Sequence, residues 1–193
     1  MHTKASIYPH VACLLFFLFL LHTGNAVTHA DEPEYIEREQ NLKAAFLVNF
    51  ARFTRWPEGR ENRHTPFIFL NTLNEIEGRG FKAISHAHVR GHNIEVRFSE
   101  KNQIDTTMTP PDLIFITNTS YQELEKILKW LEGKPVLTVS DILGFTSYGG
   151  MIELIRKKDS IHFNINYKSV KKAGLEMNYQ MLKLADKVFA DEK

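Results

Sequence analysis

The sequence predicts an α/β domain built on an open, mostly parallel sheet with flanking helices. Between Phe67 and Val139, short apolar runs of strand length alternate with stretches whose apolar residues follow helical spacing. Strand, helix and strand in that order are typical of parallel strands joined by crossover helices. After Gly149-Gly150, two β-rich runs flank a charged turn, so we expect a C-terminal antiparallel hairpin followed by a closing helix.

Residues 34–53 predict an amphipathic opening helix. Its face consists of residues spaced three and four apart: Leu42, Ala45, Phe46, Asn49, Phe50 and Phe53. Asn49 is the polar exception, and we expect the phenylalanines of this face to be buried. The helix should end near Trp56, because Pro57 disfavours helical geometry at the residue before it.

The central part of the chain predicts alternating strands and helices. The predicted strands are short apolar runs bounded by proline, glycine or polar residues: 67–70, 94–98, 112–117 and 136–139. The predicted helices carry apolar stripes at helical spacing: 76–85 and 121–131. The hairpin strands are predicted at 151–155 and 161–165, and the closing helix at 177–189.

Residues 1–30 predict a cleaved signal peptide. Lys4 is their only charged side chain, and residues 11–21 form an unbroken apolar run. That run is shorter than the roughly 20 residues that a membrane-spanning helix needs. Small residues permit cleavage after Ala26 or after Ala30, and the sequence does not choose between these sites. We therefore expect an exported mature chain without a membrane span.

Residues 31–193 are expected to form a single domain. The only cysteine, Cys13, lies in the leader, so the mature chain cannot form an internal disulfide and must be stabilised by core packing. Once Lys4 is removed, the basic residues equal the 23 acidic residues in number. Phosphate binding needs a basic surplus or a basic patch. We therefore expect no nucleic-acid partner.

The loop around residues 145–151 contains the candidate recognition surface. Phe145 and Tyr148 are aromatic residues in a polar loop, and exposed aromatics dominate binding hot spots. The Gly-Gly pair lacks the spaced glycines of a phosphate-binding loop and is interpreted as a tight turn that needs unusual backbone angles. Glu153 is placed on a solvated strand face. The predicted partner-binding residues are Phe145, Tyr148, Gly149, Gly150, Met151 and Glu153.

Other candidate sites are interpreted as structural. Trp56-Pro57 is an aromatic anchor that packs the opening helix on the sheet. His86, His88 and His92 could include a metal pair, but no further ligand stands at a recognisable spacing. Ser140-Asp141 lacks a nucleophile-elbow motif, so Asp141 is expected to cap a turn. We expect no metal, no cofactor and no enzymatic activity.

The opening segment resembles the YfiR family. Residues 43–57 read KAAFLVNFARFTRWP, and the opening helix of YfiR-like proteins typically ends in a Trp-Pro pair after an Asn-Phe. The matching residues are Asn49, Phe50, Phe53, Trp56 and Pro57.

The resemblance continues in order along the mature chain. Residues 135–145 and 149–152 resemble the central strand and glycine loop of the family. The segment FNIN ending at Asn166, followed by residues 173–175 and 182–185, resembles its closing strand and helix.

The resemblance implies a periplasmic protein of Rossmann-like fold that binds and inhibits the periplasmic sensor domain of a membrane-bound diguanylate cyclase, and thereby controls cyclic di-GMP signalling and biofilm formation. It allows another signalling protein as the partner, and also a homodimer. The best-studied members carry cysteines whose oxidation state matters. The mature chain has none, which puts redox control in doubt.

A periplasmic small-molecule binding protein is the alternative. Ligands of doubly wound sheets often lie beyond the carboxyl ends of the strands, at a switch point. The predicted strand ends near Asn71, Asn118 and Ser140 would line such a crevice.

Overall fold

A computed structural model describes residues 32–60, 65–99, 104–158 and 160–190. Pro33–Lys193 forms one compact unit. Its main sheet contains eight strands within the described residues: β2 (Phe67–Asn71), β3 (His88–Val89), β4 (His92–Phe98), β5 (Leu113–Ile116), β6 (Leu137–Ser140), β7 (Ile152–Lys157), β8 (Ser160–Asn166) and β10 (Lys187–Phe189). Two short strands, β1 (Thr54–Arg55) and β9 (Glu176–Met177), pair separately.

The main sheet is mostly parallel, and its strand order is β10-β8-β7-β6-β5-β2-β4-β3. β4 lies on one side of β2, and β5 lies on the other, so the chain reverses its direction of travel across the sheet at β2. The antiparallel neighbours are β7 with β8, in register at Leu154 and Phe163, and β3 with β4. The protein is therefore a mixed α/β domain with a mostly parallel central sheet, as the alternation of elements predicts.

The two faces of the sheet are covered by different helices. Strand β5 shows the division, because Leu113 and Phe115 belong to the core beneath α1 (Glu32–Phe53), whereas Ile114 and Ile116 belong to the core beneath α2 (Tyr121–Leu131). Successive side chains of a strand point to opposite faces, which explains the alternation. Both faces are covered, and so strand β5 is apolar and buried along its whole length.

The opening helix exists, but its buried face differs from the predicted one. The buried apolar residues are Ala44, Leu47, Val48, Phe50 and Ala51. Phe53 is 38% exposed, and Leu42, Ala45 and Asn49 are also exposed. The buried face is therefore rotated toward Ala44, Leu47 and Val48, relative to the predicted one. Of the predicted aromatic face, Phe50 is buried and Phe46 is partly buried.

Two predicted helices take a different form. Residues 79–86 are a 3₁₀ helix, η1 (Arg79–His86), rather than an α-helix. The predicted closing helix is wrong beyond Leu184: α4 covers only Tyr179–Leu184, and the chain then becomes extended at Ala185 and forms β10. The amide of Asp186 donates to the carbonyl of Phe163, which draws this segment onto β8. A further helix, α3 (Tyr167–Lys172), was not predicted.

Candidate functional site

A groove lies between α2, the loop of residues 145–151 and α3, and we call it the α2–α3 groove. Its volume is about 770 Å³. The side chains on its floor and walls are largely apolar, with charged residues at the rim: Tyr121, Leu124, Glu125, Leu128, Lys129, Leu131, Glu132, Tyr148, Met151, Lys172 and Ala173. Ligand pockets commonly measure 300–1,000 Å³, so the groove has the size of a recognition site.

Helix α2 supplies one wall of the groove. Ser120 caps its start, because the hydroxyl accepts a hydrogen bond from the amide of Glu123 at 3.2 Å. Leu124, Ile127 and Leu131 bury one stripe of the helix in the core. The same geometry leaves Tyr121 at the first turn 61% exposed, at the mouth of the groove.

The loop of residues 145–151 supplies the second wall, and it exposes only part of the predicted recognition surface. Tyr148 is 55% exposed, and its ring centroid lies 5.2 Å from that of Tyr121. Gly149 has a φ of 96°, which agrees with the predicted tight turn. The two tyrosines form an exposed aromatic pair, which we call the tyrosine pair.

The prediction that Phe145 is exposed is wrong. Its side chain is fully buried in the core beneath α2, and Met151 is also buried. A Cβ atom at Gly150 would lie 2.2 Å from the Phe145 ring, so glycine is required there to let the ring pack beneath the loop. Phe145 therefore anchors the loop, and Tyr148 is its exposed aromatic residue.

The prediction that Glu153 lies on a solvated face is also wrong. Its side chain is buried, and its carboxylate accepts hydrogen bonds from the amide of Gly144 at 3.0 Å and from the amide and hydroxyl of Thr146 at 3.2 and 2.9 Å. These donors replace the water that a carboxylate loses on burial. Glu153 thus fixes the chain that leads into the loop bearing Tyr148.

Asn166 connects the loop to α3, the third wall. Its side-chain oxygen accepts a hydrogen bond from the amide of Ser169 and caps the helix, while its Nδ2 donates to the carbonyl of Thr146 at 3.0 Å. At the far end, Lys172 pairs with Glu132 at 2.6 Å, and this hydrogen bond lowers the pKa of the Glu132 carboxyl.

Two parts of the groove were not predicted from the sequence: helix α3, and Tyr121 as a surface residue of the site. An Asn preceding a short run with lysines at its end was the available signal for the helix.

The remaining residues of the opening motif lie away from the α2–α3 groove. Trp56 is buried and meets Phe67 edge to face at 5.2 Å, which agrees with the interpretation as an anchor. Pro57 and Asn49 are exposed. The carbonyl of Phe53 accepts a hydrogen bond from the amide of Asn178, and so the end of α1 is joined to the C-terminal segment.

The crevice predicted at the strand ends is not lined by the expected side chains. Asn71 and Ser140 are fully buried, and each accepts a hydrogen bond from the amide two residues ahead, at Leu73 and Ile142. Asn118 is exposed, with a φ of 47°. The side chains of Asn71 and Ser140 thus close turns at the ends of their strands.

Asp141 does not cap the turn, because the hydroxyl of Ser140 does so. The carboxylate of Asp141 instead lies 2.7 Å from the ammonium of Lys43, which also pairs with Glu39. Burial alone would lower the pKa of Lys43, but the two carboxylates outweigh it and raise that pKa above its usual value.

The three histidines considered as metal ligands do not form a metal site in the described residues. His86 and His88 are exposed, and His92 is partly buried. No three His, Cys, Asp or Glu residues in the described ranges are grouped as metal ligands.

These features define a class: a mixed α/β domain whose surface groove presents an aromatic pair above an apolar floor. Across the part of the chain that the structure describes, no helix is both long and apolar enough to cross a membrane. The model of the YfiR/HmsC-like family matches residues 40–186. The chain belongs to this family.

Proposed function

We propose that this protein is a periplasmic regulator with a Rossmann-like domain that binds and inhibits the sensor domain of an inner-membrane diguanylate cyclase. Membership of the YfiR/HmsC-like family is the observation that carries the proposal. The predicted signal peptide supports a periplasmic location, because the sensor domain of such a cyclase lies in the same compartment.

The α2–α3 groove is the proposed docking surface. Tyrosine is enriched among interface hot spots, since a rigid aromatic ring buries much area at little entropic cost. Tyr121 and Tyr148 meet this description, because both are largely exposed and their rings contact each other. The rim carries charges of both signs, including Glu125, Lys129 and Lys172, which can give a partner its register.

Deletion of the gene tests the proposal in cells. A released cyclase makes more product, so the deletion should raise cyclic di-GMP and biofilm formation, and a plasmid-borne copy should reverse both effects. An unchanged cyclic di-GMP level in the deletion strain would contradict the proposal that the protein inhibits a cyclase.

A small-molecule binding protein is the second candidate, and the size of the same groove favours it. A volume of about 770 Å³ suits a drug-sized ligand. Thermal melts of the purified mature chain with periplasmic metabolite fractions distinguish the two functions. A ligand that raises the melting temperature of the wild type but not of Leu128→Arg, together with an unchanged cyclic di-GMP level in the deletion, would favour this candidate.

A further inference from the structure

The tyrosine pair at the mouth of the α2–α3 groove brings together exposed rings from two separate parts of the chain. Tyr121 belongs to the first turn of α2, and Tyr148 belongs to the loop of residues 145–151. Their ring centroids lie 5.2 Å apart, with an angle of 40° between the ring planes. The two residues are 61% and 55% exposed, so a dissolved reagent reaches both phenol groups.

No other contact between two tyrosine rings occurs among the described residues. The other described tyrosines each lie against a basic side chain: Tyr35 against Arg156, Tyr167 against Lys171, and Tyr179 against Lys183. A reaction that needs two adjacent phenols within one chain is therefore confined to the tyrosine pair in the part of the chain that the structure describes.

The reaction open to two adjacent phenols is oxidative coupling. Loss of one electron and one proton converts a phenol into a phenoxyl radical, whose unpaired electron is shared between the oxygen and the ortho carbons of the ring. Two such radicals combine through their ortho carbons and form a carbon–carbon bond. Rings already in contact need only a small side-chain rotation to bring these carbons together, and exposed side chains rotate within nanoseconds.

The mature chain lacks the side chain that most readily intercepts oxidants. The only cysteine, Cys13, lies in the predicted leader, so no thiol remains to react first. Met151, Met177 and Met181 are buried, and so is Trp56. Within the described ranges, the exposed tyrosines are therefore among the most accessible groups that an oxidant can attack.

We propose that the tyrosine pair is a site of oxidative cross-linking, at which a haem peroxidase and hydrogen peroxide convert Tyr121 and Tyr148 into dityrosine. Each phenol gives up one electron and one proton, and the two radicals join through their ortho carbons. The two ortho hydrogens then move to the phenolic oxygens, which restores both aromatic rings and both hydroxyls. The peroxide accepts the two electrons and the two protons and becomes two molecules of water.

The new bond fixes one wall of the α2–α3 groove to another. It joins α2 to the loop of residues 145–151, and it removes the independent rotation of both rings. A partner then no longer meets two rings that adapt to its surface one at a time. Loss of the docking surface on cross-linking rests on the proposed function, whereas the cross-link itself is a property of the free chain.

Peptide mapping of the oxidised protein tests the proposal. The purified mature chain is treated with a haem peroxidase and limiting hydrogen peroxide at low protein concentration, because dilution slows coupling between two copies but not coupling within one chain. The monomer is isolated by size-exclusion chromatography and digested with trypsin. It should yield the peptides of Tyr121 and Tyr148 joined together, lighter than their sum by two hydrogen atoms. Coupling of free N-acetyltyrosine in a parallel reaction shows that the oxidant is active.

A pair of matched variants locates the cross-link. Tyr121→Phe keeps the ring but cannot form a phenoxyl radical, so it should abolish the joined peptide and the dityrosine fluorescence of the monomer. Tyr179→Phe removes a tyrosine that is 68% exposed and lies against Lys183, and it should leave the yield unchanged. If the active oxidant gives no joined peptide in the wild-type monomer, or if the Tyr121→Phe monomer keeps the wild-type fluorescence, the proposal is overturned. Neither outcome bears on the docking proposal, since neither measures the cyclase.

Discussion

At the residue scale, burial separates side chains that look alike in the sequence. Phe50 and Phe53 both stand at helical spacing in the opening motif, yet Phe50 is 1% exposed and meets Phe163 edge to face at 5.0 Å, whereas Phe53 is partly exposed. Periodicity identifies a helix, but a small rotation of the helix about its axis changes which of its side chains are buried. Ala44 and Ala51 lie on the buried face, and a small side chain gives only a weak apolar signal in the sequence.

Replacing Phe50 by Ala should therefore lower the free energy of unfolding by about 3–5 kcal/mol, because it removes a buried ring and leaves a cavity. Phe53→Ala is the matched control and should cost much less. Urea denaturation of both variants measures the difference. Equal midpoints for the two would contradict the assigned rotation of α1.

Glu153 shows a second limit at this scale. Its neighbours Ile152 and Leu154 point to the opposite face of β7, so the alternation of polar and apolar residues suggests a solvated face. The loop that covers Glu153 comes from Gly144 and Thr146, and no local sequence rule predicts such a cover.

Glu153→Gln should destabilise the protein by about 1–3 kcal/mol, since the amide group replaces one acceptor oxygen with a donor that faces a backbone N–H. Glu125→Gln, on the exposed rim of the α2–α3 groove, is the control and should change stability by less than about 0.5 kcal/mol. Thermal melts of the two variants check the expectation, and a Glu153→Gln variant as stable as the control would show that Glu153 is not buried in solution.

At the element scale, the sequence predicted the elements that carry strong periodic patterns. Helix α2 was predicted with the bounds it has, and the central strands were placed to within one or two residues. The C-terminal segment was predicted incorrectly. Residues 177–189 have helical spacing, but the last of them, Lys187–Phe189, pair with β8 as a strand. Tertiary hydrogen bonds to β8 outweighed the local preference, and a single-sequence pattern does not contain them.

The attachment of β10 should depend on pH through Asp186. Hydrogen bonds from Lys157 and His162 lower the pKa of this carboxyl below its usual 3.8. A carboxyl whose folded pKa is depressed contributes its stabilisation fully above the unfolded pKa and loses it as the pH falls through the folded pKa. The amide protection factors of Lys187–Phe189 should therefore decrease when the pH is lowered below about 4.

Asp186→Asn is the control for this effect, because the amide cannot titrate. In this variant, the protection factors of the β10 amides should already be low at neutral pH. They should change little when the pH is lowered into the acidic range. A wild-type β10 that keeps its protection through the acidic range would show that Asp186 does not tether the strand.

At the scale of the whole molecule, the family was predictable because its motifs recur in order along the mature chain, and the matched range of 40–186 includes all of them. The groove was not predictable, because it forms where α2, a loop and α3 meet, and these are distant in sequence. Tyr148 was predicted as a recognition residue because it is an aromatic residue in a polar loop. Its neighbour Tyr121 lies in a helix whose apolar pattern indicates a buried stripe but no binding surface.

Export of the whole chain can be tested by mass spectrometry of periplasmic extracts. The mature protein should begin between Val27 and Asp31, because the small-residue cleavage sites lie after Ala26 and Ala30. Such a chain lacks Cys13, so its melting temperature should not change with a thiol reductant. A periplasmic protein with an intact Met1 would contradict the predicted leader.

The central claim is that the tyrosine pair of the α2–α3 groove docks on a cyclase, and cyclic di-GMP in complemented deletion cells tests it most directly. Tyr148→Ala should leave the melting temperature nearly unchanged, since an exposed side chain contributes little to stability, yet it should fail to lower cyclic di-GMP as the wild type does. Tyr179→Ala, at an exposed tyrosine outside the groove, is the matched control and should restore the wild-type level. If Tyr148→Ala and Tyr121→Ala both restore that level at equal protein abundance, the groove is not the docking surface.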